Sequence, residues 1–132
     1  MIDVIQLTDH IEVAHIGPSL EEGRLPAVFY FSISGQDSLG LDPFNQPAIF
    51  LAEKGLRVFS MDLPAHGPNL NPLEAIAVWE REFSEGQDPL APFIDQATFA
   101  LNALFDKGLI FTEKLGLMGL SRGGLIACLL AT

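Results

Sequence analysis

Cysteine and basic side chains are scarce in this chain, and each scarcity removes a class of function. The single cysteine, Cys128, excludes an internal disulfide framework and fits a reducing, cytoplasmic setting. It lies in the apolar run Ile126–Ala131, where a buried small residue is expected and a catalytic thiol is not. Lysine and arginine number 7 against 17 aspartates and glutamates, for a formal net charge of −10. A surface that acidic repels phosphate backbones and anionic membranes, so neither nucleic acid nor a membrane is an expected partner. No Gly-Lys-Ser/Thr occurs, which rules out a phosphate-binding loop of the Walker type. The first ten residues, Met1–His10, carry neither a basic n-region nor an apolar h-region, so they do not read as a signal peptide. No apolar run approaches the roughly 18 residues that would span a bilayer. No repeat or low-complexity segment is visible.

What is present is ample core material: 48% of the 132 residues are hydrophobic, enough for one domain. Val4–Leu7 and Ile11–Ile16 alternate in polarity around Thr8-Asp9-His10 and predict an antiparallel hairpin. Residues 17–25 read as a loop. Ala27–Ile33 is a nearly unbroken apolar run rich in β-branched and aromatic residues, the pattern of a strand covered on both faces. Ser34–Asp42 reads as a Gly- and Asp-containing loop, followed by a short helix from Pro47 to Lys54 and a second buried strand, Leu56–Met61. Asn71-Pro72-Leu73-Glu74 is a helix start, with Ile76, Trp79 and Phe83 on one face. Asp88-Pro89 opens another helix, with Ile94, Ala97, Leu101, Leu104 and Phe105 as its stripe and Gly108 as its stop. Lys114–Gly119 is a third buried strand that runs into Ser121 and an apolar helix. Strands alternating with helices predict a three-layer α/β fold, with a mostly parallel sheet behind an N-terminal antiparallel hairpin.

The sharpest feature is Gly119-Leu120-Ser121-Arg122-Gly123. A serine on a very tight strand-to-helix turn must adopt a strained backbone, and the residues two before and two after it come too close for side chains. The turn lifts the hydroxyl above the sheet. It also aims the Arg122 backbone N–H, at a helix N-terminus, into the space where an oxyanion would form. A second amide donor is expected from the loop Ser34-Gly35-Gln36-Asp37. A third loop, Asp62-Leu63-Pro64-Ala65-His66-Gly67, follows the second buried strand.

Together these motifs resemble the α/β-hydrolase superfamily over roughly Ala27 to Thr132. Within it the likeness is to small bacterial carboxylesterases of the dienelactone-hydrolase and prolyl-oligopeptidase type. There, an apolar strand ends in His-Gly, a later one in Asp-x-Pro-x-His-Gly, and the nucleophile sits in Gly-x-Ser-x-Gly-Gly. The resemblance implies Ser121 as nucleophile, and Arg122 and Gln36 as donors of the oxyanion amides. Here Ser34-Gly35 stands where the family has His-Gly, a change that a backbone donor tolerates.

In that family the acid and the catalytic histidine follow the nucleophile. The chain runs only eleven residues past Ser121. The expectation is therefore that residues 1–132 form the N-terminal part of one hydrolase domain, inactive alone, with the base and acid beyond residue 132. Of the histidines, His10 falls in the hairpin turn, His15 on a strand at the far edge of the sheet, and His66 after a strand on the catalytic side, where the family's histidine shapes a turn. Asp62 reads as a loop-capping carboxylate, Asp37 as a solvated loop residue, and Trp79 and Phe83 as core or lid packing. The expected activity is hydrolysis of carboxylic esters through an acyl-enzyme, on a small-molecule substrate, with no metal or organic cofactor. Acyltransfer, thioester or peptide cleavage on the same elbow, and an inactive hydrolase-like interaction module, are the alternatives. Lys114–Gly119 is expected to leave an unpaired apolar edge, open to self-association or to a missing C-terminal half.

Overall fold

The computed structural model describes residues 1–67 and 70–132. Its strands are β1 (Asp3–Gln6), β2 (Glu12–Ile16), β3 (Leu25–Phe31), β4 (Arg57–Ser60) and β5 (Ile110–Gly119). Its helices are α1 (Gly35–Gly40), α2 (Gln46–Glu53), α3 (Pro72–Ser84), α4 (Leu90–Asp106) and α5 (Arg122–Ala131). The strands form one sheet in the order β1-β2-β4-β3-β5. β3 lies parallel to β4 on one side and to β5 on the other. β2 pairs antiparallel with both β1 and β4, so it alone runs against the other four strands. The chain thus has the mostly parallel sheet and leading hairpin that its sequence predicts.

Alternation along the strands builds the layers, because successive side chains in a strand point to opposite faces. Phe29, Phe31 and Phe59 turn to one face, where they meet Trp79 of α3, Phe93 and Ala97 of α4, and Ile126 of α5. Tyr30 and Val58 turn to the other, against Leu39 of α1 and Ala48 of α2. Phe31 takes the ring of Phe93 edge-on, with centroids 5.9 Å apart, the preferred geometry of an aromatic pair. Helices therefore cover both faces of the sheet, and the architecture is three-layered.

Several local expectations need correction. Ser34–Asp42 is not all loop: Ser34 caps α1, its Oγ accepting from the Asp37 N–H at 3.1 Å. Ile76 and Phe83 are exposed, and α3 buries Ala75 and Trp79 instead, because the helix meets the sheet on a narrower stripe. On α4, Phe105 is exposed and stacks under the Arg24 guanidinium, while Phe93 and Ala100 complete the buried stripe. Cys128 is exposed, since α5 buries only Gly123, Ile126 and Ala127. β5 is longer than predicted and only partly covered, being the outermost strand, with β3 as its one neighbour among the described residues. His15 is wholly buried on β2, one strand in from the margin. The helix starts at Asn71 and Asp88 hold: Asn71 Oδ1 accepts from Leu73 N–H, and Asp88 Oδ1 from the N–H groups of Leu90 and Ala91.

Away from the carboxyl ends of the parallel strands, buried Arg57 ties three segments together. Its guanidinium donates to the carbonyls of Ser19, Gly23 and Leu109. Arg24 adds bonds at 2.7 Å to the carbonyls of Phe105 and Ile110. These bonds fix where β5 begins, and so where it delivers its far end.

Candidate active site

Three loops leave the carboxyl ends of three adjacent parallel strands. Because β3 lies between β4 and β5, the segments after Phe31, Ser60 and Gly119 emerge side by side. Crevices at that end of a parallel sheet are where such folds place their ligands.

Ser121 follows β5 and precedes α5. It is exposed, with φ 55° and ψ −117°, a conformation that side-chain-bearing residues rarely adopt. The flanking glycines have concrete reasons. A Cβ on Gly119 would lie 2.0 Å from the Gly123 carbonyl oxygen, and one on Gly123 would lie 1.8 Å from that of Phe31. The turn is thus pressed against the neighbouring strand, and the Leu120 N–H donates to the same Phe31 oxygen at 3.0 Å. Gly123 and Gly124 direct their N–H groups back to the carbonyls of Leu120 and Ser121. Among the described residues, no acceptor engages the Arg122 N–H. The Arg122 guanidinium reaches away, to the Pro72 carbonyl at 3.1 Å.

The loop after β3 is held as closely. Ile33 N–H donates to Ser38 Oγ at 3.0 Å, Asp37 N–H to Ser34 Oγ, and Ser38 N–H to the Ser34 carbonyl at 2.9 Å. Gly35 N–H donates to Asp62 Oδ1 at 2.7 Å. The Gln36 N–H has no acceptor among the described residues. Glu12, Ser34, Gln36, Asp37, Asp62, Gly67 and Leu70 line a depression of about 270 Å³ at this end. Burial pushes the Asp62 carboxyl above its ordinary range, a rise that the Gly35 N–H and nearby His66 partly offset and Asp37 reinforces.

His66 lies in the loop that follows β4. It is 1% exposed, its Nδ1 donates to the Pro64 carbonyl at 2.9 Å, and its Nε2 is buried without a partner among the described residues. Trp79 Nε1 donates to that same carbonyl at 2.7 Å, and its ring meets His66 edge-on. The intervening Ala65 also has a positive φ, 64°. His66 therefore braces a tight turn. His10 is exposed in the hairpin turn, and buried His15 bonds Asp3 across the β1–β2 pair at 2.9 Å. Among the described residues no histidine is hydrogen-bonded to Ser121. Trp79 lines a separate depression of about 450 Å³ with Pro64, Glu82 and Pro92, and Ser121 is not part of its wall. The sequence reading missed the Asp62–Gly35 bond altogether. It also missed α1, although Ser34-Gly35-Gln36-Asp37 carries the serine-to-acid spacing of a capped helix start.

Burial lowers the pKa of both His15 and His66, so the folded state favours their neutral forms. On acidification the unfolded chain takes up these protons first. Stability from this source is complete above about pH 6.5 and is lost as pH falls toward the folded values. Urea midpoints followed from about pH 8 to about pH 5 should therefore decline on the acid side. The doubly substituted His15→Phe, His66→Phe chain should decline less; an equal decline in both would refute this cause.

No protein-family model and no curated protein sequence matches this chain. Solved structures do. A cold-adapted esterase from an Arctic intertidal metagenomic library aligns over 98% of this chain and 53% of its own, with a TM-score of 0.59 and 19% identity. A Bacteroides fragilis protein assigned as an acetyl xylan esterase aligns over 96% of this chain and 39% of its own, with a TM-score of 0.68 and 16% identity. At such identities the likeness establishes the fold. The chain spans about half the length of the first and about two fifths of the second.

Proposed function

An α/β-hydrolase-like fold is the premise, and from it we propose that this chain carries the nucleophile and oxyanion hole of a serine hydrolase acting on carboxylic esters. The observation that carries the reading is the backbone of Ser121: a strained, exposed serine at a helix N-terminus beside an unengaged amide. Strain of this kind costs on the order of 1–3 kcal/mol and persists where function selects it. In the proposed reaction a histidine removes the Ser121 proton and the hydroxyl oxygen attacks the ester carbonyl. The N–H groups of Arg122 and Gln36 hold the resulting oxyanion. Collapse expels the alcohol, which takes its proton from the histidine, and water then cleaves the acyl-enzyme by the same path in reverse.

Among the described residues no histidine is hydrogen-bonded to Ser121, and we assign the base and its acidic partner to residues outside these 132. The open edge of β5 is where further strands would add, from the part of the protein that holds those groups or from a second copy. The fold relatives named above are called esterases, which agrees with an ester as substrate. A hydrolase-like binding module without turnover is the second reading, favoured by the lack of a histidine bonded to Ser121.

Burst kinetics separate the two. With short-chain 4-nitrophenyl esters, the intact protein is expected to release about one equivalent of nitrophenol in a fast phase before steady turnover. Release no faster than in buffer would leave the binding module as the reading.

A further inference from the structure

We propose that Asp62 is the positioning residue of the oxyanion hole, its carboxyl fixing the Ser34–Gly35 peptide plane, the neighbour of the Gly35–Gln36 plane from which the Gln36 N–H is aimed. This rests on the serine hydrolase reading above. Asp62 stands 27 residues from Gly35 in sequence, yet its Oδ1 accepts the Gly35 N–H at 2.7 Å. That bond joins the loop after β4 to the loop after β3, and it holds the residue directly before Gln36. The amides of Ile33, Gly35, Asp37 and Ser38 all have acceptors, and among the described residues the Gln36 N–H has none. A clamp on either side of a free donor preorganises it, so no reorientation is needed as charge develops. Gly35 completes the fit: a Cβ there would come within 3.2 Å of the Ser60 oxygen and the Met61 Cα, so the loop lies directly on the end of β4.

Other titratable groups face the Asp62 carboxyl from neighbouring elements. Asp37 from α1 and Glu12 from β2 face the same depression, and His66 from the same loop lies near, with Arg122 beyond it. Partial burial, reinforced by the Asp37 charge, makes the ionised form costly. Below its raised pKa the folded state holds a proton more readily than the unfolded chain; as pH rises past that pKa, the ionised group lowers stability. An asparagine keeps the acceptor without this cost.

The test uses the intact protein and three substitutions. Asp62→Ala should lower kcat for a 4-nitrophenyl ester about tenfold or more, with KM kept within about twofold. Affinity for an alkyl trifluoromethyl ketone, whose adduct places a negative oxygen in the hole, should fall in step with kcat. Asp62→Asn should recover kcat to within about threefold, at a thermal midpoint no lower than that of the unaltered protein at neutral pH. If the alanine variant does not fold, Asp62→Glu replaces it; its extra methylene misplaces the acceptor, and the same fall in kcat is expected. A folded Asp62→Ala or Asp62→Glu protein with unchanged kcat and ketone affinity would overturn the proposal alone. An unaltered protein that neither turns over ester nor reacts at Ser121 would overturn it together with the hydrolase reading.

Discussion

Ser121→Ala is expected to reduce ester turnover by about 10⁴-fold or more while leaving the fold intact. The size follows from the absence of any substitute. The next residues on either side are Leu120 and Arg122, and neither offers a hydroxyl or thiol. Cys128 is exposed on α5 but nearly two helical turns beyond, away from the amides at the helix start. What would survive is the proposed oxyanion hole, and such a hole alone gives modest acceleration over water. Stability provides the internal control. Alanine must take the same φ of 55° as serine and should be nearly neutral, whereas Ser121→Gly should raise stability by about 1 kcal/mol by releasing the strain. An inactive glycine variant that is more stable than the parent would show that the elbow trades stability for reactivity. Thermal midpoints of the three proteins, measured beside their kcat values, check both parts.

Gly123→Ala carries the largest expected loss of stability, more than about 4 kcal/mol. The new Cβ would sit 1.8 Å from the Phe31 carbonyl oxygen, and backbone cannot step aside as a flexible side chain can. Relief requires α5 to lift off the sheet. That movement would open the packing of Ile126 and Ala127 against the main core. Gly119→Ala meets the Gly123 carbonyl at 2.0 Å and should behave alike. Gly86→Ala is the contrast: its φ is +79° but nothing lies within 4 Å, so its cost should stay near 1 kcal/mol. Urea unfolding of the three variants gives the ordering. Equal losses at Gly86 and Gly123 would mean that the elbow is not packed as described.

The sheet was legible in the sequence because its strands announce themselves. Ala27–Ile33 and Leu56–Met61 are apolar on both faces, and a parallel sheet sandwiched by helices needs that pattern. The elbow was legible for a related reason: two glycines flanking a serine at a strand–helix junction encode a close approach, which the Gly123 and Phe31 backbones bear out. Features that depend on distant partners were not legible. The exposure of Ile76, Phe83 and Phe105 depends on how α3 and α4 lie on the sheet, and helical periodicity alone cannot place a stripe to within one residue. Cys128 looked buried because its run is apolar, yet α5 has a neighbour on only part of its circumference. The Asp62–Gly35 bond spans two loops joined only through the pairing of β3 with β4, so no local pattern foretells it.

The most direct test of the central claim is to treat the intact protein with a fluorophosphonate and locate the adduct by peptide mass spectrometry. The account predicts a single adduct on Ser121, lost in Ser121→Ala. An adduct on a different residue, or labelling that persists in the alanine variant, would contradict it.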